Sequence, residues 1–498
     1  MAYHPSLYQI NTRVWLHELG RARGRPAALA DVDDAVLDRI AADGFDWVWL
    51  LGVWQTGEAG RRVSLSQPEW QHEYREVLPD FTPDDVSGSP FAIREYVVNR
   101  DFGGPRALQL FRKRLAERNL RLMLDFVPNH TALDHPWVRE RPELYVHGSD
   151  DDLAREPDNY WRLRTRTGAR VLAHGRDPYF SGWSDTAQLN YRHPWLRKAM
   201  REVLETIGDQ CDGVRCDMAM LVLPDVFART WGDRARPADG TPPSDDPFWP
   251  AGIAGVRARH PDFVFMAEAY WDLEWTLQQQ GFDYTYDKRL YDRLRGQDAG
   301  AVRGHLLADA EYQRRSARFL ENHDEPRAAA TFPTQVHQAA AVITLLVPGL
   351  RFVHEGQPAG RKVRTSNHLR RRVLEPVDRE LESFYARLFA CVRRTETREG
   401  DWRLLPCEAA WDGNPTWDRF IAFSWEAPAR RLLVAVNYGA THAQCYVRLP
   451  WSDVDGRAVV FHDLMSPSVE YERDGADVRR RGLYLDLPPW GYHIFEVS

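Results

Sequence analysis

Four separate apolar runs in this chain each end in a cluster of charged or imidazole side chains, and that repetition constrains the fold more than any other feature. They are residues 122–130 (LMLDFVPNH), 211–220 (CDGVRCDMAM), 263–271 (FVFMAEAYW) and 319–327 (FLENHDEPR). A short apolar run reads as a buried strand, and in a parallel barrel the functional groups gather where the strands end. In the second run Arg215 and Asp217 are two apart, so on a strand both side chains leave the same face. A guanidinium beside a carboxylate holds that carboxylate ionised, which suits a nucleophile.

The rest of the chain supplies matching elements. Residues 8–16 and 45–51 read as strands with a helical pattern over 33–41 between them, the spacing of a parallel sheet with crossover helices. Further strands are expected at 121–124, 213–216, 263–267, 283–286, 317–321 and 350–353, which completes eight. Helices are expected over 105–118, over 193–208 with Pro194 in its first turn, and over 381–394. The polar excursion 55–88 reads as a loop on the strand-end rim. From about residue 400 short alternating runs such as 420–425, 431–437 and 445–449 predict an antiparallel sandwich.

Taken in order and at these intervals, the four charged stretches resemble the four short regions that define the α-amylase family of glycoside hydrolases, and residues 183–191 resemble a fifth. The resemblance spans about residues 8–451 and implies a (β/α)8 TIM barrel with a small inserted domain after strand 3 and a C-terminal antiparallel β-sandwich. The expected domains are 1–130 with 192–398 for the barrel, 131–191 for the insertion and 399–498 for the sandwich. By the same resemblance Asp217 is the nucleophile, Glu268 the general acid/base and Asp324, with His323, the group that binds sugar hydroxyls. Arg215, His130, Asp125 and Phe91 are expected at the substrate, Phe91 as a stacking platform in place of the family's usual tyrosine. Such an enzyme is a retaining α-glycosidase working by double displacement, with carboxyl groups about 5 to 5.5 Å apart. Glu268 should then sit in apolar company that raises its pKa, with Phe265, Met266, Tyr270 and Trp271 as candidates.

One match and one departure narrow the reading. Asn129 matches a calcium ligand of many amylases, yet Met220-Leu221 stands where many members carry a Lys-His pair serving calcium and the leaving-group side. No cofactor is therefore expected, and small α-glucosides or maltooligosaccharides are favoured over starch. Transglycosylase or isomerase chemistry uses the same intermediate and stays open, as does an anionic acceptor at the basic run 361–372, although a solvated or salt-bridged loop is the commoner fate of such a run. A non-catalytic, carbohydrate-binding relative would be marked by loss of an acid, and all three acids are present. Glu321 is expected to point into the structure, and His354-Glu355 alone does not make a metal site.

Net charge is −7 and the pI is near 6.2, so nucleic acid and anionic membranes are not expected partners; a small carbohydrate is. No apolar run reaches membrane-spanning length and the first residues lack a secretory pattern, which predicts a cytoplasmic protein. The five scattered cysteines read as reduced thiols. Oligomeric state is not legible.

Overall fold

The computed structural model describes residues 3–165 and 168–498. Among them eight parallel strands close into a barrel: β1 (Ser6–Asn11), β2 (Trp47–Leu51), β3 (Arg121–Phe126), β4 (Gly213–Cys216), β5 (Val264–Ala267), β6 (Tyr284–Tyr286), β7 (Ser316–Arg318) and β8 (Leu350–His354). Each pairs with its neighbours in chain order and β8 returns to β1. Both faces of these strands are covered, which explains the continuous apolar runs of β2 and β5, Trp47–Leu51 and Val264–Ala267. Trp47 and Trp49 on β2 are fully buried. Removing about 200 Å² of each ring from water contributes roughly 5 kcal/mol, before entropy is counted.

Three expectations about elements need correction. The run 8–16 is a strand only to Asn11, whose side chain accepts the Val14 N–H and caps a helix, Thr12–Arg23. The excursion 55–88 is not a plain loop, because it holds the helices Glu58–Ser66 and Pro68–Val77, the second opened by a proline at its first turn. β7 ends at Arg318 rather than at Glu321. The strands 213–216 and 350–353 fall where the apolar runs place them.

Between β3 and β4 the chain forms a small antiparallel sheet from His147–Gly148, Tyr160–Thr165 and Gly168–Ala173, and Thr186–Gln188 pairs with His130–Ala132. After the barrel, six strands from Asp401–Leu405 to Tyr492–Val497 form one antiparallel sheet, and Cys407–Ala409, Ala443–Val447 and Leu483–Leu487 form a second. The period-2 rule sorts the strand Phe420–Ala427. Phe420 and Ala422 face the second sheet, whereas Ile421, Phe423 and Trp425 join the barrel core. Trp425 Nε1 donates to the Leu346 carbonyl at 2.6 Å, which ties the sandwich to a barrel helix.

Candidate active site

Register brings Arg215 on β4 level with Asp125 on β3 and Met266 on β5. Its guanidinium is fully buried beneath the strand ends, with its carbon 5.4, 5.3 and 5.6 Å from the ring centres of Trp49, Phe91 and Tyr286. One nitrogen lies 2.6 Å from Asp217 Oδ1 and the other 2.6 Å from Glu268 Oε2. Sequence reasoning paired Arg215 with Asp217 alone. The structure makes it a bridge between two carboxylates.

Glu268, just past β5, accepts two further hydrogen bonds. The Met218 N–H reaches Oε2 at 2.7 Å and the Tyr270 hydroxyl donates to Oε1 at 2.9 Å. Burial pushes the Glu268 pKa up to about 7 against the pull of Arg215. Burial also raises Asp217, and Arg215 works against that rise through charge and through its hydrogen bond. Of the four residues expected around Glu268, Tyr270 is the one that bonds to it, and it does so through a polar group. The chain reaches this arrangement through a left-handed turn at Met218, φ +40°, which costs about 1 kcal/mol for a residue with a Cβ. The turn aims the Met218 N–H across at Glu268.

Asp324 sits beyond β7 with its carboxylate open to the cleft. His323 Nε2 lies 2.9 Å from it, and the Asn367 amide donates to Oδ1 at 3.2 Å. Burial opposes ionisation here, but His323 and Arg215 outweigh it and hold the pKa at about 2. Asn322 accepts the Asp324 and Glu325 N–H groups and fixes the turn. Gln9 meets the other side of the His323 ring at 2.8 Å. Phe91 packs its ring 5.4 Å from that of His323, so the expected platform does reach the cluster.

His130 is buried against Trp183, its pKa lowered to about 3 by burial. Asp125 was expected at the substrate and is not open to it. Its carboxylate is 1% exposed and accepts from Trp49 Nε1 at 3.0 Å and from the Gly52 N–H at 2.6 Å. It spans β2 and β3, and burial raises its pKa. Asn129 does not fit a calcium site, because its amide exchanges hydrogen bonds of 3.1 and 3.0 Å with Gln188. The described residues contain no cluster of three His, Cys, Asp or Glu that could hold a metal. Met220 and Leu221 are buried in a 3-10 turn. Glu321 points inward as expected, held by Arg327 at 3.0 Å and the Ala328 N–H at 2.6 Å. His354 joins that network and Glu355 pairs with Arg372 at 2.6 Å.

The basic run is largely neutralised in place. Arg364 pairs with Glu73 at 3.1 Å, Arg371 with Asp80 and Asp85, and Arg372 with Glu18 and Glu355. Arg364 also donates to the Asp324 carbonyl at 3.0 Å. Tyr74, Leu78, Val86 and Leu369 form a separate apolar cluster, with Trp70 and His368 rings 4.5 Å apart, that fastens this loop to the helix Pro68–Val77. Together the two segments wall the cleft beside Asp324. Arg364 and Asn367 were not singled out from the sequence, since only the path of the loop brings them to Asp324.

A barrel with two buried carboxylates clasped by one guanidinium at neighbouring strand ends, and a third acid beside them, offers the paired carboxyl groups that glycoside hydrolysis uses. The sequence profile of the alpha-amylase catalytic domain matches residues 86–387, and the chain belongs to that family. It is 26% identical over 421 residues to alpha-amylase MalA of Haloarcula japonica, covering 82% of this chain and 52% of the relative. It is 27% identical over 266 residues to an alpha-1,4-glucan:maltose-1-phosphate maltosyltransferase of Burkholderia pseudomallei, covering 51% of this chain and 19% of the relative. The chain spans about half the length of the first of these relatives. Its fold matches the crystal structure of a noncanonic maltogenic alpha-amylase from Thermotoga neapolitana with a TM-score of 0.70 at 19% identity, over 99% of this chain and 98% of the other. No helix of the described residues is long and apolar enough to cross a membrane.

Proposed function

We propose that this chain cleaves α-glucosidic bonds of small α-glucosides or maltooligosaccharides with retention of configuration. The observation that carries the proposal is Arg215, 2.6 Å from each of Asp217 and Glu268 at adjoining strand ends. In the first step Asp217 attacks the anomeric carbon while Glu268 gives its proton to the departing glycosidic oxygen, leaving a glycosyl ester on Asp217 and a neutral alcohol. In the second step Glu268 takes a proton from water, the water oxygen bonds to the anomeric carbon, and the Asp217 carboxylate departs. A pKa of about 7 suits a group that must be acid first and base second. Asp324, held ionised, binds ring hydroxyls and strengthens its hold as positive charge develops on the sugar.

The wall formed by Arg364, Glu73 and the apolar cluster beneath them supports short substrates over long chains. Transfer to a sugar hydroxyl is the second reading, supported by the similarity to a maltosyltransferase. Incubation with maltose, maltotriose, sucrose, trehalose and isomaltose tests both, with products resolved by chromatography and the first-formed anomer read by NMR. Glucose released as the α anomer is expected for hydrolysis, and longer sugars for transfer. A β anomer from the first turnover, or no turnover of any of the five, overturns the proposal.

A further inference from the structure

A second cavity, of about 640 Å³, opens beside the helix Thr12–Arg23, between residues 55–61 and the loop that carries Arg370. That volume is in the range of small-molecule sites, and Asp217, Glu268 and Asp324 do not line it. Its lining includes Arg13, Arg21, Arg25, Arg61 and Arg370 and two acidic residues, Glu58 and Asp101. Arg25 is neutralised by Asp31, and Arg61 lies 3.8 Å from Asp84. Among the described residues Arg13, Arg21 and Arg370 have no carboxylate at ion-pair distance.

Arg13 is the unusual member. It is 6% exposed, and a guanidinium that deeply placed is ordinarily matched by a carboxylate. Its partners here are neutral oxygens: the Ser87 hydroxyl at 3.1 Å, the Thr56 hydroxyl at 3.0 Å and the Gly88 carbonyl. Ser87 and Thr56 themselves line the cavity. Independently, His17 Nδ1 is buried at the cavity wall with no hydrogen-bond partner among the described residues. Burial and the nearby Arg370 push the Arg13 pKa down to about 10, so the cations here press on one another.

We infer that this cavity is a binding site, outside the catalytic cleft, for a phosphate-bearing small molecule, with Arg13 as its buried anchor and Arg21 and Arg370 at its mouth. Guanidiniums present paired donors that match phosphate oxygens, and the Thr56 and Ser87 hydroxyls add neutral donors beside them. A neutral sugar would gain nothing from this charge. The cavity is also larger than phosphate alone needs, which leaves room for a sugar ring attached to it. The anchor grips the chain at Gly88, shortly before Phe91, and Arg370 follows Asn367 on the same loop, so an occupant would stiffen two segments that reach the cleft.

Calorimetric titration of the full chain with inorganic phosphate, glucose 6-phosphate and glucose tests the inference without reference to turnover. Saturable binding of the phosphorylated probes and none of glucose is expected. Tighter binding of glucose 6-phosphate identifies a sugar phosphate as the ligand; equal binding identifies free phosphate. The double variant Arg21→Glu, Arg370→Glu alters exposed side chains and should weaken binding at least tenfold, about 1.4 kcal/mol, while Asp217→Asn leaves it unchanged. Failure of both phosphorylated probes to bind, or equal binding to the double variant, overturns the assignment. Loss of binding in Asp217→Asn would place the anion in the cleft and overturn it equally.

Discussion

Removing the Tyr270 hydroxyl tests the assignment of Glu268 as acid/base most directly. In the ionised state Glu268 has three partners: Arg215 at 2.6 Å, the Met218 N–H at 2.7 Å and the Tyr270 hydroxyl at 2.9 Å. A hydrogen bond donated to a charged group contributes about 1.5 to 3 kcal/mol, and the protonated acid keeps part of that. The net preference for the ionised form is then about 1.4 kcal/mol, or one pKa unit. Tyr270→Phe should therefore move the descending limb of kcat/KM from about pH 7 to about pH 8. At pH 8 the protonated fraction rises from about one tenth to about one half, so the ratio of variant to wild-type rate grows roughly fivefold between pH 6 and pH 8. The ratio cancels any uniform loss from poorer positioning. Maltose is the substrate of choice, because its sugar leaving group needs the proton that Glu268 supplies. A limb that stays in place or moves to lower pH would falsify the reasoning, since the hydroxyl would then be accepting from a protonated Glu268.

The same group makes stability depend on pH. A carboxyl raised from 4.5 to about 7 binds its proton more tightly in the folded state, so its contribution is fully present below about pH 4.5 and is lost as pH rises through 7, about 3 kcal/mol in all. Denaturant titrations of wild type and Glu268→Gln across that window should diverge by that amount, and parallel curves would argue against the shift. Asp217→Asn should lower kcat by three or more orders of magnitude with unchanged circular dichroism, and retention of a tenth of the activity would remove it as nucleophile. Glu321→Gln should cost about 3 to 5 kcal/mol of stability, because Arg327 is left buried without its counter-charge, and an unshifted unfolding midpoint would contradict that. Arg364→Ala should raise kcat/KM for maltopentaose relative to maltose while changing stability by less than about 1 kcal/mol, as its pair with Glu73 is exposed; an unchanged ratio means that the wall does not set substrate length.

The barrel and its three acids were readable because strand ends in a parallel barrel leave a local trace: an apolar run, then a charge. Asp217 and Glu268 each follow such a strand, Asp324 follows the apolar pair Phe319-Leu320 just past β7, and strand parity alone put Arg215 beside Asp217. What escaped needed distances between segments remote in sequence. Arg215 reaches Glu268 because β4 and β5 are in register, and the hold of Trp49 and Gly52 on the Asp125 carboxylate likewise comes from the neighbouring strand and turn. Arg364 and Asn367 lie in a run whose composition suggested a solvated or salt-bridged loop, and only its docking on the helix Pro68–Val77 carries them to Asp324. The two helices in the excursion after β2 were hidden by its polar residues, which face outward from a small cluster that draws Leu369 from far along the chain.

That cluster has a further consequence for how such a chain can diverge. Tyr74, Leu78, Val86 and Leu369 form an apolar nucleus of their own, apart from the one that fills the barrel. Substitutions in separate nuclei add independently. The apolar nucleus beneath the rim can therefore be repacked apart from the barrel core, while Arg372, paired with Glu355, keeps the loop itself tied to the end of β8.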